Sequence, residues 1–470
     1  MKVFFEPNDG VAADFIPFYW QGEYHLFYLK DYRDHEGRGE GTPWFHLGTR
    51  DFITFTDYGE ALPRGTVDEQ DLYVFTGCVM EHNGLFHIYY TGHNPHFRVV
   101  GRPEQAVMHA TSPDLITWTK DPANPILFAN EERYEPHDWR DPFVLWNEDE
   151  EEFWMLLAAR EKVGPGNRRG CIALVTSKDL VDWEIQEPFW SPGLYFTHEC
   201  PDLFRIGDYW YLVYSTFSER TVTHYRTSQT LSGPWLASAD DVFDTRAYYA
   251  AKTAGDGNRH FSFGWNPTRR GNVDDGKWQW GGTLVVHELN QISDGSLSVS
   301  VPPELTRQYT KAIELAADFR LGNWSSDANG VRVEVPDSFA WCLLGSEATE
   351  CCLDVTIDVD AGTRAAGVLL RADDTLDHYF QIRLEPGSRR VVFDRWPRPG
   401  DEPFIFERPL DYRTGKPVKL QIFRQGTVVI VYIDGQVALS TRAYEGAGEN
   451  WGLFVSEGAA RFTGLFMTVT

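Results

Sequence analysis

Thr111-Ser112-Pro113-Asp114-Leu115-Ile116-Thr117-Trp118 decides the fold, because the chain repeats it. Thr49-Arg50-Asp51-Phe52-Ile53-Thr54-Phe55 and Thr176-Ser177-Lys178-Asp179-Leu180-Val181-Asp182-Trp183 follow the same pattern, and Thr227-Ser228-Gln229-Thr230-Leu231-Ser232-Gly233-Pro234-Trp235 is a degenerate copy. The copies lie roughly sixty residues apart, a period that belongs to stacked repeat units rather than to a single sheet. Ahead of each runs a turn-bounded aromatic strand, as in Gly84-Leu85-Phe86-His87-Ile88-Tyr89-Tyr90 and Gly207-Asp208-Tyr209-Trp210-Tyr211-Leu212-Val213-Tyr214. A fifth unit is marked by Arg259-His260-Phe261-Ser262-Phe263-Gly264-Trp265. Units of about four short strands with little helical periodicity, set radially, predict an all-β five-bladed β-propeller over residues 1–305, its period readable from about residue 8 to 300.

Beyond Ser300-Val301-Pro302-Pro303-Glu304-Leu305 the period stops. Alternating runs such as Thr427-Val428-Val429-Ile430-Val431-Tyr432-Ile433 read as antiparallel hairpins, so residues 306–470 are expected to form a C-terminal β-sandwich. That part offers no acid cluster beyond a solvated face.

The charge balance narrows the partners. With 43 Lys and Arg against 69 Asp and Glu, the net charge of −26 repels phosphate backbones and anionic surfaces, so neither nucleic acid nor membrane is an expected partner. The opening residues lack the apolar core of a signal peptide, and the six cysteines show no zinc-like spacing; a cytoplasmic, reducing location with free thiols is the expectation. His46, His137 and His198 are scattered along the chain, so neither a metal site nor a cofactor is predicted. Oligomeric state is not legible.

Three acids draw attention. Asp14 precedes Phe15-Ile16-Pro17-Phe18-Tyr19-Trp20, Asp141 precedes Pro142-Phe143-Val144-Leu145-Trp146, and Glu199 precedes Cys200-Pro201-Asp202-Leu203-Phe204. Pro142 suits the first residue of a strand and biases Asp141 toward an extended backbone, which places each acid at a strand's mouth. A single Asp before a strand is ordinarily a turn former. Three at matching places in blades one, three and four would converge on the axial funnel, and cleaving a glycosidic bond calls for a protonated acid and an ionised carboxylate.

Phe75-Thr76-Gly77-Cys78, Trp139-Arg140-Asp141-Pro142, Glu199-Cys200-Pro201-Asp202 and the terminal Gly452-Leu453-Phe454-Val455 resemble glycoside hydrolase family 32, the β-fructofuranosidases, across nearly the whole chain. The resemblance implies a propeller followed by a β-sandwich and a retaining hydrolase acting on fructofuranosyl or related furanosyl linkages of an oligosaccharide or polysaccharide. By the same resemblance Asp14 is the nucleophile, Asp141 the transition-state stabiliser and Glu199 the acid/base, with Glu199 protonated through burial among aromatics and Asp14 ionised. Arg140, Trp44, Phe75, Thr76, Tyr249 and Trp265 match substrate-binding positions, with core packing as the alternative for the aromatics and a structural ion pair for Arg140.

The chain also departs from the family. Where members carry an Asn-Asp-Pro-Asn-Gly block it reads Ala12-Ala13-Asp14-Phe15-Ile16, and Leu29 stands at a glutamine position. Asn8-Asp9-Gly10 is a weaker candidate block than Asp14, since Asp9 lies far ahead of Gly22. Two other readings remain at this stage: an inverting arabinan- or xylan-cleaving enzyme resembling glycoside hydrolase family 43, and a propeller that binds carbohydrate without cleaving it.

Overall fold

The computed structural model describes residues 3–328, 330–346, 348–398, 400–401, 404–446 and 448–470, so Met1 and Lys2 of the expected first domain lie outside the described residues. Nineteen strands up to Ser300 form five blades. Blade 1 runs Val11–Trp20, Glu23–Asp31, Trp44–Thr49 and Phe55–Leu62, and blade 2 runs Tyr73–His82, Leu85–His93, Gln105–Ser112 and Thr119–Lys120. Blade 3 is Tyr134–Asn147, Glu152–Glu161, Gly170–Ser177 and Glu184–Ile185. Blade 4 is Glu199–Ile206, Tyr209–Thr216 and Val222–Ser228, its outer edge reduced to the bridges His224–Val242 and Thr227–Leu236. Blade 5 is Tyr249–Gly255, His260–Arg269, Trp278–Gln291 and Leu297–Ser300.

The first strand of each blade touches the first strand of the next, from blade 1 through blade 5 and back to blade 1, so the ring closes. Closure is helped by small residues: Ala12 pairs with Gly282, joining blades 1 and 5 into one eight-stranded sheet. A Cβ on Gly281, where φ is +77°, would sit 2.9 Å from Val11 Cγ2, so only glycine allows this approach.

The repeated motif is the turn between the third and fourth strands. In blade 2 Asp114 Oδ1 accepts the Ile116 and Thr117 N–H groups, and Leu115 takes φ +65°. Asp51 does the same for Ile53 and Thr54, and Asp179 for Val181 and Asp182, with Phe52 and Leu180 in the same left-handed conformation. The side-chain bonds replace backbone partners at the turn and hold a conformation that apolar residues otherwise avoid.

From Lys311 onward the strands pack as a sandwich around a second apolar core that includes Leu353, Ile382, Leu420, Trp451 and Phe462. Its two layers are not separate sheets. The long terminal strand Asn450–Val469 pairs with Gly330–Ser346, Glu350–Val359 and Ala365–Ala372, and bends the whole into one continuous hydrogen-bonded system. The two halves of the chain are stitched together by buried polar bonds. Asp244 accepts the Ser440 N–H at 2.7 Å and is paired with His287 at 2.9 Å, while Tyr432 reaches the other ring nitrogen of His287 at 2.9 Å.

Candidate active site

Each inner strand carries a bulge at one level of the funnel. In blade 1 Ala13 pairs with Leu29 and Ile16 with Phe27, so Asp14 and Phe15 together face Tyr28. Blade 3 breaks register between Arg140 and Phe143, blade 4 between Glu199 and Asp202, blade 5 between Tyr249 and Lys252, and blade 2 loses register at Thr76. The bulged residues Asp14 (φ +44°), Asp141 (φ +60°), Cys200 (φ +51°) and Ala250 (φ +48°) are all left-handed. Such a conformation costs roughly 1–3 kcal/mol per non-glycine residue, and the surrounding ring must hold it. This corrects the extended backbone expected for Asp141 ahead of Pro142. Asp14 and Asp141 also lie inside their strands rather than at the mouths; Glu199 alone is a first residue.

The bulges re-aim side chains into one hollow of 120 Å³, lined by Asp14, Arg140, Asp141, Glu199, Tyr249 and Trp280 together with Phe75, Cys200 and Ala250. It is smaller than the roughly 300–1,000 Å³ of sites for drug-sized ligands, and suits one sugar ring.

Hydrogen bonds fix each acid. Thr76 Oγ1 donates to Asp14 Oδ2 at 2.8 Å and Trp265 Nε1 to Asp14 Oδ1 at 2.9 Å. Cys200 N–H donates to Asp141 Oδ2 at 2.9 Å, and the Asp141 N–H is itself capped by Thr91 Oγ1 at 2.7 Å. Arg140 Nη2 donates to Glu199 Oε1 at 2.9 Å and the Tyr249 hydroxyl to Oε2 at 2.5 Å. Arg140 also holds Asp138 at 2.8 Å.

Burial pushes the Asp14 carboxyl up to about 7, with the negative charges of Asp141 and Glu199 adding to it and the Thr76 and Trp265 bonds opposing. Burial raises Asp141 to about 6 against the pull of Arg140. Burial works against the charge on Arg140 as well, yet Glu199, Asp141 and Asp138 hold its guanidinium ionised. Burial thus drives Asp14 most strongly, and Asp141 after it, toward the neutral form, and Glu199 is gripped by two donors instead of lying among aromatics alone.

The remaining sequence candidates divide. Arg140, Phe75 and Tyr249 line the hollow. Thr76 and Trp265 are buried and touch Asp14 rather than the open volume. Trp44 is not in the wall: it is fully buried in an apolar cluster with Phe27 and Tyr90, and its indole N–H is spent on the Val74 and Phe75 carbonyls. Asp9 lies outside, paired with Lys30 at 2.5 Å. Sequence reasoning missed Trp280, whose place in Trp278-Gln279-Trp280-Gly281-Gly282 was signalled only by the two glycines that let blade 5 approach blade 1. Among the described residues no group of three or more His, Cys, Asp or Glu side chains is arranged to hold a metal ion.

Comparison with known proteins matches residues 5–297 to the glycosyl hydrolases family 32 N-terminal domain and residues 322–468 to the glycosyl hydrolases family 32 C-terminal domain. A levanbiose-producing levanase of Bacillus subtilis (strain 168) is 24% identical over 464 residues, covering 91% of this chain and 82% of the levanase. A sucrose-6-phosphate hydrolase of Vibrio alginolyticus is 26% identical over 318 residues, 61% of this chain and 60% of the relative. Among solved structures, a sucrose-6-phosphate hydrolase from Lactobacillus gasseri superposes with a TM-score of 0.73 at 18% identity, covering 99% of this chain and 92% of the other. An exo-inulinase from Aspergillus awamori does so with a TM-score of 0.73 at 17% identity, covering 99% and 97%.

Proposed function

Since the chain belongs to glycoside hydrolase family 32, which sets aside the family 43 reading, we propose that it is a retaining hydrolase of fructofuranosyl linkages in neutral oligosaccharides or fructans. The observation that carries this is the convergence of Asp14, Asp141 and Glu199, from three different blades, on a hollow the size of one sugar ring. Asp14, steered by Thr76 and Trp265, attacks the anomeric carbon; Glu199 gives its proton to the leaving oxygen and then takes one from water. Asp141 holds sugar hydroxyls as charge develops on the ring.

Proton placement follows from the charges. Asp14, pushed up to about 7, and Asp141, raised to about 6, keep a proton in the site toward neutral pH, because burying uncompensated charge is costly. The reacting complex needs that proton on Glu199 and Asp14 ionised. The two donors on Asp14 favour this arrangement, and a leaving-group oxygen entering beside Glu199 competes with the Tyr249 and Arg140 contacts. The buried thiols of Cys78, Cys171, Cys200, Cys342 and Cys352 support a reducing, cytoplasmic location.

The test is hydrolysis of sucrose, inulin, levan and difructose anhydrides, with arabino-oligosaccharides as controls, read by NMR at the first turnover. Release of β-fructose from a β-fructoside supports the proposal. First-formed product of inverted configuration, or binding without cleavage of any of these sugars, contradicts it.

A further inference from the structure

A hollow much larger than the catalytic one lies elsewhere on the chain. A cleft of 950 Å³ lies on the sandwich, against the face of the sheet turned away from its core. Gln381, Arg383 and Glu385 alternate along one strand and line it, and Phe339 and Phe454 form an aromatic floor with ring centroids 5.8 Å apart. Tyr379 and Arg398 belong both to this cleft and to an adjoining hollow of 270 Å³ that contains Trp396, the cross-strand partner of Tyr379. Trp396 is 51% exposed. A half-exposed indole beside a tyrosine is an uncommon surface for a chain that can bury such rings, and it borders a groove rather than a flat face.

We propose that this groove is an accessory binding site for a neutral oligosaccharide chain, with Trp396 and Tyr379 as a stacking platform and Gln381 with the Arg383–Glu385 pair as hydrogen-bonding groups. Charge selects the ligand class. The cleft has four arginines, yet each has its own carboxylate: Arg383 with Glu385 at 2.6 Å, Arg390 with Glu407 at 2.9 Å, Arg398 with Asp394 at 2.8 Å and Arg364 with Glu457 at 2.6 Å. Paired guanidinium and carboxylate groups in fixed orientation offer donors and acceptors without net charge, which suits hydroxyls and not an anion. Size points the same way: the catalytic hollow takes one ring, while the cleft has room for several. A further hollow lined by Arg398 reaches Arg269 and Asp274 on blade 5, so the groove runs toward the propeller. The inference rests on the proposed function only for the sugar's identity as a fructan.

Affinity electrophoresis of the Glu199→Gln protein through gels containing levan, with inulin, arabinan and xylan gels alongside, tests it. Retardation by levan is expected. Trp396→Ala and Gln381→Ala in the same background should each weaken it at least fivefold, while Trp280→Ala in the catalytic hollow leaves most of it. Trp396→Ala in the otherwise unaltered enzyme should leave sucrose turnover unchanged. Retardation by arabinan or xylan alone, lost in Trp396→Ala, upholds the groove and overturns its assignment to fructans. Equal mobility of the Trp396→Ala, Gln381→Ala and parent proteins in all four gels overturns the site, whatever the enzyme cleaves.

Discussion

The Tyr249 hydroxyl donates to Glu199 Oε2 at 2.5 Å while Arg140 holds the other oxygen, so residues from blades 3 and 5 position an acid on blade 4. Tyr249→Phe removes one of these contacts and keeps the ring. It is expected to lower kcat by about 10- to 100-fold with little change in KM, as for a lost hydrogen bond at a reacting group. Arg140→Ala should cost more, since it leaves three carboxyls without their guanidinium. Steady-state kinetics on a cleaved fructoside, with circular dichroism as a check on folding, decides both.

Asp14 gives a pH dependence with a definite sign. Its carboxyl titrates at about 7 in the folded protein against an ordinary value of 3.8. Between pH 4 and pH 7 the folded state therefore keeps a proton that the unfolded chain has released, and the stability this site contributes falls as pH rises through that window. Asp14→Asn removes the charge and keeps one acceptor and one donor for Trp265 and Thr76. Urea unfolding should find the variant equal to the parent near pH 4 and about 1–4 kcal/mol more stable at pH 8. The same titration predicts that kcat/KM of the unaltered enzyme falls on the acid side with a midpoint near 7.

Two tryptophans should separate packing from recognition. Trp44→Phe is expected to destabilise the protein by about 1–3 kcal/mol, through lost volume and loss of the indole N–H shared by the Val74 and Phe75 carbonyls, with KM within twofold of the parent. Trp280→Ala strips a wall from the sugar hollow and should raise KM at least tenfold.

The junction between propeller and sandwich makes its own prediction. Asp244 is fully buried and its partners lie on both sides of the boundary. Asp244→Ala leaves His287 and the Ser440 N–H without their acceptor, and should cost about 3–5 kcal/mol in thermal or urea unfolding.

The propeller was legible because its outer turns are built from side chains. Asp51, Asp114 and Asp179 cap the same backbone amides, so the motif must recur wherever the turn does. Blade 4 shows the converse: its copy has Thr230 in place of the aspartate, and its fourth strand is reduced to isolated bridges. The three acids were found because each precedes an aromatic strand, but the feature that aims them is invisible in the residues. A bulge is a property of register between two strands, and Asp141 ahead of Pro142 predicts an extended backbone that the closed ring overrides. Trp44 and Trp280 failed for a related reason: strand alternation says that a tryptophan points to one face, not whether that face meets solvent or the next blade.

The proposed mechanism puts a covalent bond between Asp14 and the sugar, with Glu199 assisting first the departure of the leaving group and then hydrolysis of that bond. Glu199→Gln removes the group that activates water, so a fructoside whose leaving group departs without acid help should fructosylate Asp14, release that leaving group, and stall as the glycosyl ester. Acid quenching of that mixture, proteolysis and mass spectrometry should find a hexosyl increment on the peptide containing Asp14, absent from Asp14→Asn. A hexosyl increment on a different carboxylate, or complete turnover with inverted product and no adduct, would contradict it.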